Sequence, residues 1–181
     1  MREKKCIKLW IFLVLLIVAI VLGGIVAIGR GGNYMSPERA LRRFSRIIER
    51  GNLDGLTLTI YYRCPRSTAN SRISGRELVE RGWYDNKTVI TSNELGEHIE
   101  LLKQMNTDVL MPVSHELFIM TVLYYVFEYN GREVLGIVPQ ADPPSVFING
   151  IEFEWNDVFF DIMRPFLSED MVKLWDESFG F

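Results

Sequence analysis

Cys6, Cys64, His98 and His115 are the only thiols and imidazoles in the chain. A Cys–His pair that activates a thiolate needs a third group to orient the imidazole, and the local sequence places none beside Cys64, His98 or His115. His115 stands in Ser-His-Glu, which lacks the His-Glu-x-x-His spacing that puts two imidazoles on one helical face for zinc. The chain contains no Gly-x-Ser-x-Gly elbow, no Gly-x-Gly-x-x-Gly and no phosphate-binding loop. Carboxylate pairs are present: Glu128 and Glu133 flank a turn, and Asp157 and Asp161 lie one helical turn apart. Solvation on a hairpin tip and a polar helix face explains both. The expectation is therefore a non-enzyme with no catalytic residue, cofactor or metal. An enzyme using His98 or His115 with Cys64 or carboxylates is the lesser alternative, and it needs the fold to bring those groups together.

Arginine offers more. Arg63, Arg66, Arg72 and Arg76 flank the irregular stretch Cys-Pro-Arg-Ser-Thr-Ala-Asn-Ser-Arg, and fork-shaped guanidinium groups suit carboxylates and phosphates. These four are candidate ligand-binding residues, with solvated loop charge or pairing with the acidic C-terminal half as the plainer reading. Trp83 and Tyr84 nearby are candidates for an exposed aromatic patch, with core packing the plainer reading. Arg39, Arg43, Arg46 and Arg50 recur at helical spacing along "SPERALRRFSRIIERG", opposite Ala40, Leu41, Phe44, Ile47 and Ile48. This stripe is a candidate lipid-surface contact, at about 1 kcal/mol per basic residue near an anionic membrane. A helix that packs its apolar face on its own domain and leaves its arginines in water is the plainer reading.

The elements that must position these side chains begin with a different kind of segment. Leu9 to Ile28 is an uncharged run dominated by Leu, Ile and Val. As a helix it covers about 30 Å, the hydrocarbon thickness of a bilayer. A cleaved signal has a shorter apolar core of about 7–15 residues and a small-x-small site; here Ile25 is bulky at that position. The segment reads as a retained anchor. Arg2, Lys4, Lys5 and Lys8 precede it, so the N-terminus is expected in the cytoplasm and the domain outside. Arg30, Arg39, Arg42 and Arg43 follow closely and weaken that bias, which leaves a domain facing the cytoplasm as the second topology. Ala19, Gly23 and Ala27 form a small-xxx-small face able to pair two spans into a homodimer. The expected organisation is a basic cytoplasmic tail (1–8), a transmembrane helix (9–28), a flexible linker (29–35) and one domain (36–181). Cys6 and Cys64 then lie on opposite sides of the membrane and cannot pair within a chain.

Net charge is −3 overall but unevenly spread. Residues 31–90 carry 11 basic and 6 acidic side chains, whereas residues 133–181 carry 2 and 10. The net of −7 past residue 30 excludes a typical nucleic-acid binder.

The domain reads as α+β. After the arginine helix, "LTLTIYYR" alternates as a strand. Ser74 with Glu77, and Thr91 with Glu94, have capping-box spacing and open helices, the second running over 92–105 with Leu95, Ile99, Leu102 and Met105 inward. "KTVIT" between them is a short strand. Asn130-Gly131 and Asn149-Gly150 each demand a type I′ hairpin turn. The first pairs Tyr129 with Arg132, Glu128 with Glu133, Phe127 with Val134 and Tyr125 with Gly136. "PQADPPS" reads as a proline turn. Asn156 and Ser168 cap two closing helices, the last with Trp175 inward. The result is a mostly antiparallel sheet with helices packed on one face.

The opening "SPERALRRFSRIIERGNLD", after a span and a Gly-rich linker, resembles that of small membrane-tethered extracytoplasmic bacterial domains. Some of those are similar to the NTF2-like fold. The two Asn-Gly hairpins and the closing helices depart from that fold, and the resemblance assigns no functional residue. The function expected is a single-pass membrane protein whose outward domain binds, senses or helps assemble the envelope. Its partners are then the membrane and possibly another envelope protein. A scaffold tethered to the cytoplasmic leaflet is the alternative.

Overall fold

Asn130 and Asn149 hold positive φ angles of 52° and 49°, each followed by a glycine at 71° and 83°. Two consecutive left-handed residues make the turn that matches the twist of the strands it joins. The two hairpins anticipated at these steps are therefore present. They form four strands, β3 (Leu123–Tyr129), β4 (Arg132–Gln140), β5 (Ser145–Ile148) and β6 (Ile151–Glu154).

The computed structural model describes residues 35–63, 73–113, 121–140 and 144–179. The expected tail, span and most of the linker lie outside these residues, as do Ala19, Gly23, Ala27, Cys6, Cys64, Arg66, Arg72 and His115, and the side chain of Trp175. No described helix is long and apolar enough to cross a membrane. From Met35 onward the chain is one compact unit.

Before the hairpins come α1 (Pro37–Glu49), β1 (Leu56–Tyr62), α2 (Gly75–Glu80), β2 (Asn86–Ile90), α3 (Ser92–Glu97) and α4 (Ile99–Leu102). After them come α5 (Val158–Met163) and α6 (Glu169–Phe179). The six strands make one antiparallel sheet in the order β2-β1-β3-β4-β5-β6. The fold is α+β.

Helices cover both faces of this sheet, not one. Phe44 of α1 meets Phe127 of β3 edge-on at 4.7 Å, inside a core shared with Leu58, Tyr125, Ile137 and Ile162. Tyr124 and Val126 point the opposite way, since strand side chains alternate. They form a second cluster with Ile73, Leu78, Val138 and Phe147. Leu78 belongs to α2, so among the described helices α2 alone lies on that face. A six-residue helix with two buried positions carries too little pattern to reveal its side from sequence.

The first hairpin is also corrected. Tyr129↔Arg132 and Glu128↔Glu133 pair as expected, and then the register shifts, so that Phe127 faces Leu135 and Val126 faces Gly136. The extra residue is Val134. This β-bulge lets Val134, Leu135 and Ile137 all reach the α1 side of the core. Strict alternation would have turned Leu135 and Ile137 away. An aromatic does close over Gly136, but it is Tyr124, whose hydroxyl lies 2.6 Å from where a Cβ would stand.

Smaller differences have local causes. The helix expected over 92–105 breaks at His98 (φ −115°, ψ 21°), two residues after Gly96, which lowers helix propensity. Leu95, Leu102 and Met105 are nevertheless all buried. Ser36 occupies the N-cap of α1 but makes no capping bond, and Pro37 starts the helix. Pro139 and Gln140 belong to β4, where they pair with β5, and not to a turn.

Two substitutions test this packing. A Cβ at Gly75 would sit 2.3–2.7 Å from the Tyr124 ring, whereas one at Gly96 meets nothing within 4 Å. Gly75→Ala should lower unfolding free energy by about 1–3 kcal/mol, and Gly96→Ala should raise it by about 0.5–1 kcal/mol. Urea melts of both would check the contrast. The hydroxyl of Tyr125 is buried without a hydrogen-bond partner, and burial pushes its pKa upward. Tyr125→Phe removes that unmatched group and should stabilise by about 1 kcal/mol in the same melts.

Candidate functional site

The capping box at Ser74 holds α2 in place. Ser74 Oγ accepts the backbone N–H of Glu77 at 3.2 Å, and Glu77 Oε2 accepts the N–H of Ser74 at 3.1 Å. The missing Cβ at Gly75 then lets α2 lie directly on the Tyr124 ring. Trp83 donates its backbone N–H to the carbonyl of Leu78 at 2.9 Å and so follows α2 closely.

Around α2 the second face of the sheet presents aromatic rings and guanidinium groups together. Tyr61 meets Tyr84 edge-on at 4.9 Å and stacks with Tyr124 at 6.3 Å. Lys87 Nζ lies 5.3 Å from the centre of Tyr61. Trp83 is 42% exposed, with the Arg81 guanidinium 4.5 Å and the Arg63 guanidinium 5.9 Å from its ring. Contacts of this kind contribute about 0.5–1 kcal/mol each at exposed sites. They hold an open indole in a fixed orientation.

Of the four arginines proposed for ligand binding, Arg63 and Arg76 are described, and both serve this face. Arg63 is buried against Trp83. Arg76 Nη2 reaches Glu133 at 3.5 Å and its Nε reaches Glu80 at 4.0 Å. Glu133 also accepts the Tyr124 hydroxyl at 3.3 Å. The like-charge pair Glu128/Glu133 is thus relieved by Arg76 and not by water alone. Arg81 and Lys87 belong to the same surface and escaped the sequence reading. The one available signal was Arg81, two residues before Trp83. Arg81 in turn pairs with Glu77 at 3.2 Å, so much of the positive charge here is already balanced.

The α1 stripe contrasts with this. Pro37, Ala40, Leu41, Phe44, Ile47 and Ile48 are all buried. Each large apolar side chain so placed contributes about 1.5–3 kcal/mol, which outweighs any gain from turning that face to lipid. The apolar face is committed to the core. Arg39, Arg46 and Arg50 are exposed and Arg43 half-buried, and none of them meets a carboxylate among the described residues. Arg43, Arg46 and Arg50, with Ile47 and Tyr129, line a groove of about 230 Å³. Tyr129, at the end of β3, is absent from any pattern on α1.

The remaining candidates are placed as follows. His98 sits at the α3–α4 break with its ring edge-on to Phe166 at 5.1 Å. Asp157 accepts the Trp155 indole N–H at 2.8 Å, and Asp161 is exposed. Among the described residues no cluster of His, Cys, Asp or Glu has the geometry for a metal ion. No protein-family model, curated protein or solved structure matches the chain.

The capping box that positions α2 also sets a pH dependence. The backbone N–H of Ser74, then its hydroxyl and the Arg81 charge, hold the Glu77 carboxyl below the usual glutamate range. A group whose pKa is depressed in the folded state stabilises fully above its unfolded pKa and loses that contribution as pH falls through the folded value. Glu77→Gln should therefore lower stability at pH 7, flatten the loss of stability between about pH 5 and 3, and converge on the unsubstituted chain at lower pH. Urea melts at a series of pH values, with NMR titration of the Glu77 carboxyl, would check it.

Proposed function

We propose that this chain is a single-pass membrane protein whose domain works outside the cytoplasm as a binding module without catalysis, in sensing, regulation or envelope assembly. The anchoring half rests on the apolar run from Leu9 to Ile28 behind a basic tail. The binding half rests on one observation. Trp83 is a large aromatic kept 42% open between two guanidinium groups, while Tyr84 and Tyr124 beside it close onto the sheet. Tryptophan and arginine dominate the energetics of protein interfaces, so the expected partner of this face is another envelope protein.

A second topology has its own support. Arg30, Arg39, Arg42 and Arg43 follow the apolar run closely, and basic residues so near a span favour keeping that side in the cytoplasm. That domain would be a tethered scaffold.

Labelling distinguishes the two. With Cys6 and Cys64 replaced by Ser, Asn93→Cys offers one exposed thiol on α3. A membrane-impermeant maleimide should label it in intact cells, on a full-length band in the membrane fraction. Label that needs permeabilised cells would establish the cytoplasmic scaffold. A labelled shorter band in the medium would mean the leader is cleaved. A photo-crosslinking residue at position 83 should give a discrete adduct that the same residue at the exposed Glu97 does not. Equal adducts from both positions would remove Trp83 as the recognition residue.

A further inference from the structure

We propose that the outward face of α1 rests on anionic phospholipid headgroups, with one phosphate taken into the groove between Arg43, Arg46, Arg50 and Tyr129. This rests on the membrane anchoring argued above, and it holds for either topology. The first support is charge. Arg39, Arg43, Arg46 and Arg50 fall within one narrow arc of the helix and extend over about 16 Å of its length. No carboxylate among the described residues meets any of them. A straight row of guanidinium groups matches a plane of phosphates, each fork able to take two oxygens.

The groove supplies the second support. Its volume of about 230 Å³ is below the range of about 300–1,000 Å³ typical of sites for larger organic ligands. Its lining combines three arginines with Ile47 and Tyr129. Arg132 pairs with Tyr129 across the hairpin and is exposed. A small anion with a short apolar stem suits this lining, as a glycerophosphate headgroup provides. A helix or strand of a partner does not fit in it.

The third support is the tether. Pro37 begins α1 nine residues after Ile28, where the apolar run ends. At no more than about 3.6 Å per residue, the chain cannot carry the start of α1 further than roughly 32 Å from that point. Attachment this short raises the effective concentration of headgroups far above that seen by a free protein. Among anionic partners, the tether selects the membrane over an acidic polypeptide.

The full chain, with Cys6 and Cys64 replaced by Ser, would carry a nitroxide at Glu49→Cys and be reconstituted into nanodiscs. The readout is relaxation of the nitroxide by nickel-chelating lipid headgroups. Phosphatidylglycerol added to phosphatidylcholine should increase it, and 0.5 M salt, quoted as about ten times a low-salt buffer, should reverse the gain. Arg43→Ala, Arg46→Ala and Arg50→Ala together should lower the contact equilibrium about a hundredfold, roughly fivefold per arginine. Arg46 is exposed on the helix, Arg43 is half-buried there and Arg50 is its exposed C-cap residue, so the melting temperature should change little. Equal relaxation in both lipids, or no response to the triple change, overturns the proposal. No gain with phosphatidylglycerol, together with saturable binding of inorganic phosphate or polyglutamate that the triple change removes, would assign the site to a free anion or an acidic chain instead. A chain extracted from membranes by alkaline carbonate would end the anchoring reading alone. Flotation of that chain on vesicles of phosphatidylcholine with phosphatidylglycerol would then test the stripe separately, with no flotation counting against it.

Discussion

Between Phe127 and Glu128 the pairing of β3 with β4 absorbs one extra residue, and the assignment of side chains to the two faces depends on it. With Val134 taken up in the bulge, Leu135 and Ile137 turn toward α1, while Gly136 and Val138 turn toward α2. Gly136 then lies under the Tyr124 ring, and the same ring lies against Gly75. One aromatic side chain thus needs two glycines, one in β4 and one at the start of α2. A bulge increases local twist and re-aims the residues beyond it. Here that lets a single hairpin serve a large core on one side and a smaller one on the other.

The two faces that result carry different electrostatics. Around α2 the arginines are held by neighbours: Arg76 by Glu133 and Glu80, Arg81 by Glu77, Arg63 against Trp83. Their role there is to orient rings and fix α2, and exposed ion pairs of this kind contribute little net stability. On α1, Arg39, Arg43, Arg46 and Arg50 meet no carboxylate among the described residues. The same residue type therefore has two environments in one domain, divided by whether the fold brings acidic side chains within reach.

Much of the architecture was legible before any coordinates. Asn130-Gly131 and Asn149-Gly150 announced their hairpins, because few residues tolerate positive φ twice in succession. Ser74 with Glu77, and Thr91 with Glu94, announced helix starts, and both capping boxes are formed. The apolar face of α1 was correct residue by residue. The bulge was not legible, since "YNGREVLGIV" is compatible with a simple hairpin and with a bulged one. The choice is made by which residues α1 and α2 must cover. The site was legible only in part: Arg63, Arg76, Trp83 and Tyr84 were named, whereas Arg81, Lys87 and Tyr129 join them through contacts across the sheet and the hairpin.

The sequence by itself determined the local conformations and the inventory: two type I′ turns, the capped helices, an apolar run long enough for a bilayer, and an arginine-rich stretch just after it. These follow from φ preferences, side-chain-to-backbone hydrogen bonds and periodicity, all of which act within a few residues. Only the tertiary structure decided that α2 lies on the opposite face from α1, that Tyr124 and not Tyr125 covers Gly136, and which arginines find a carboxylate. Those outcomes depend on groups such as Arg76 and Glu133, 57 positions apart in the chain. Their meeting is set by packing and strand register, and no short-range pattern encodes it.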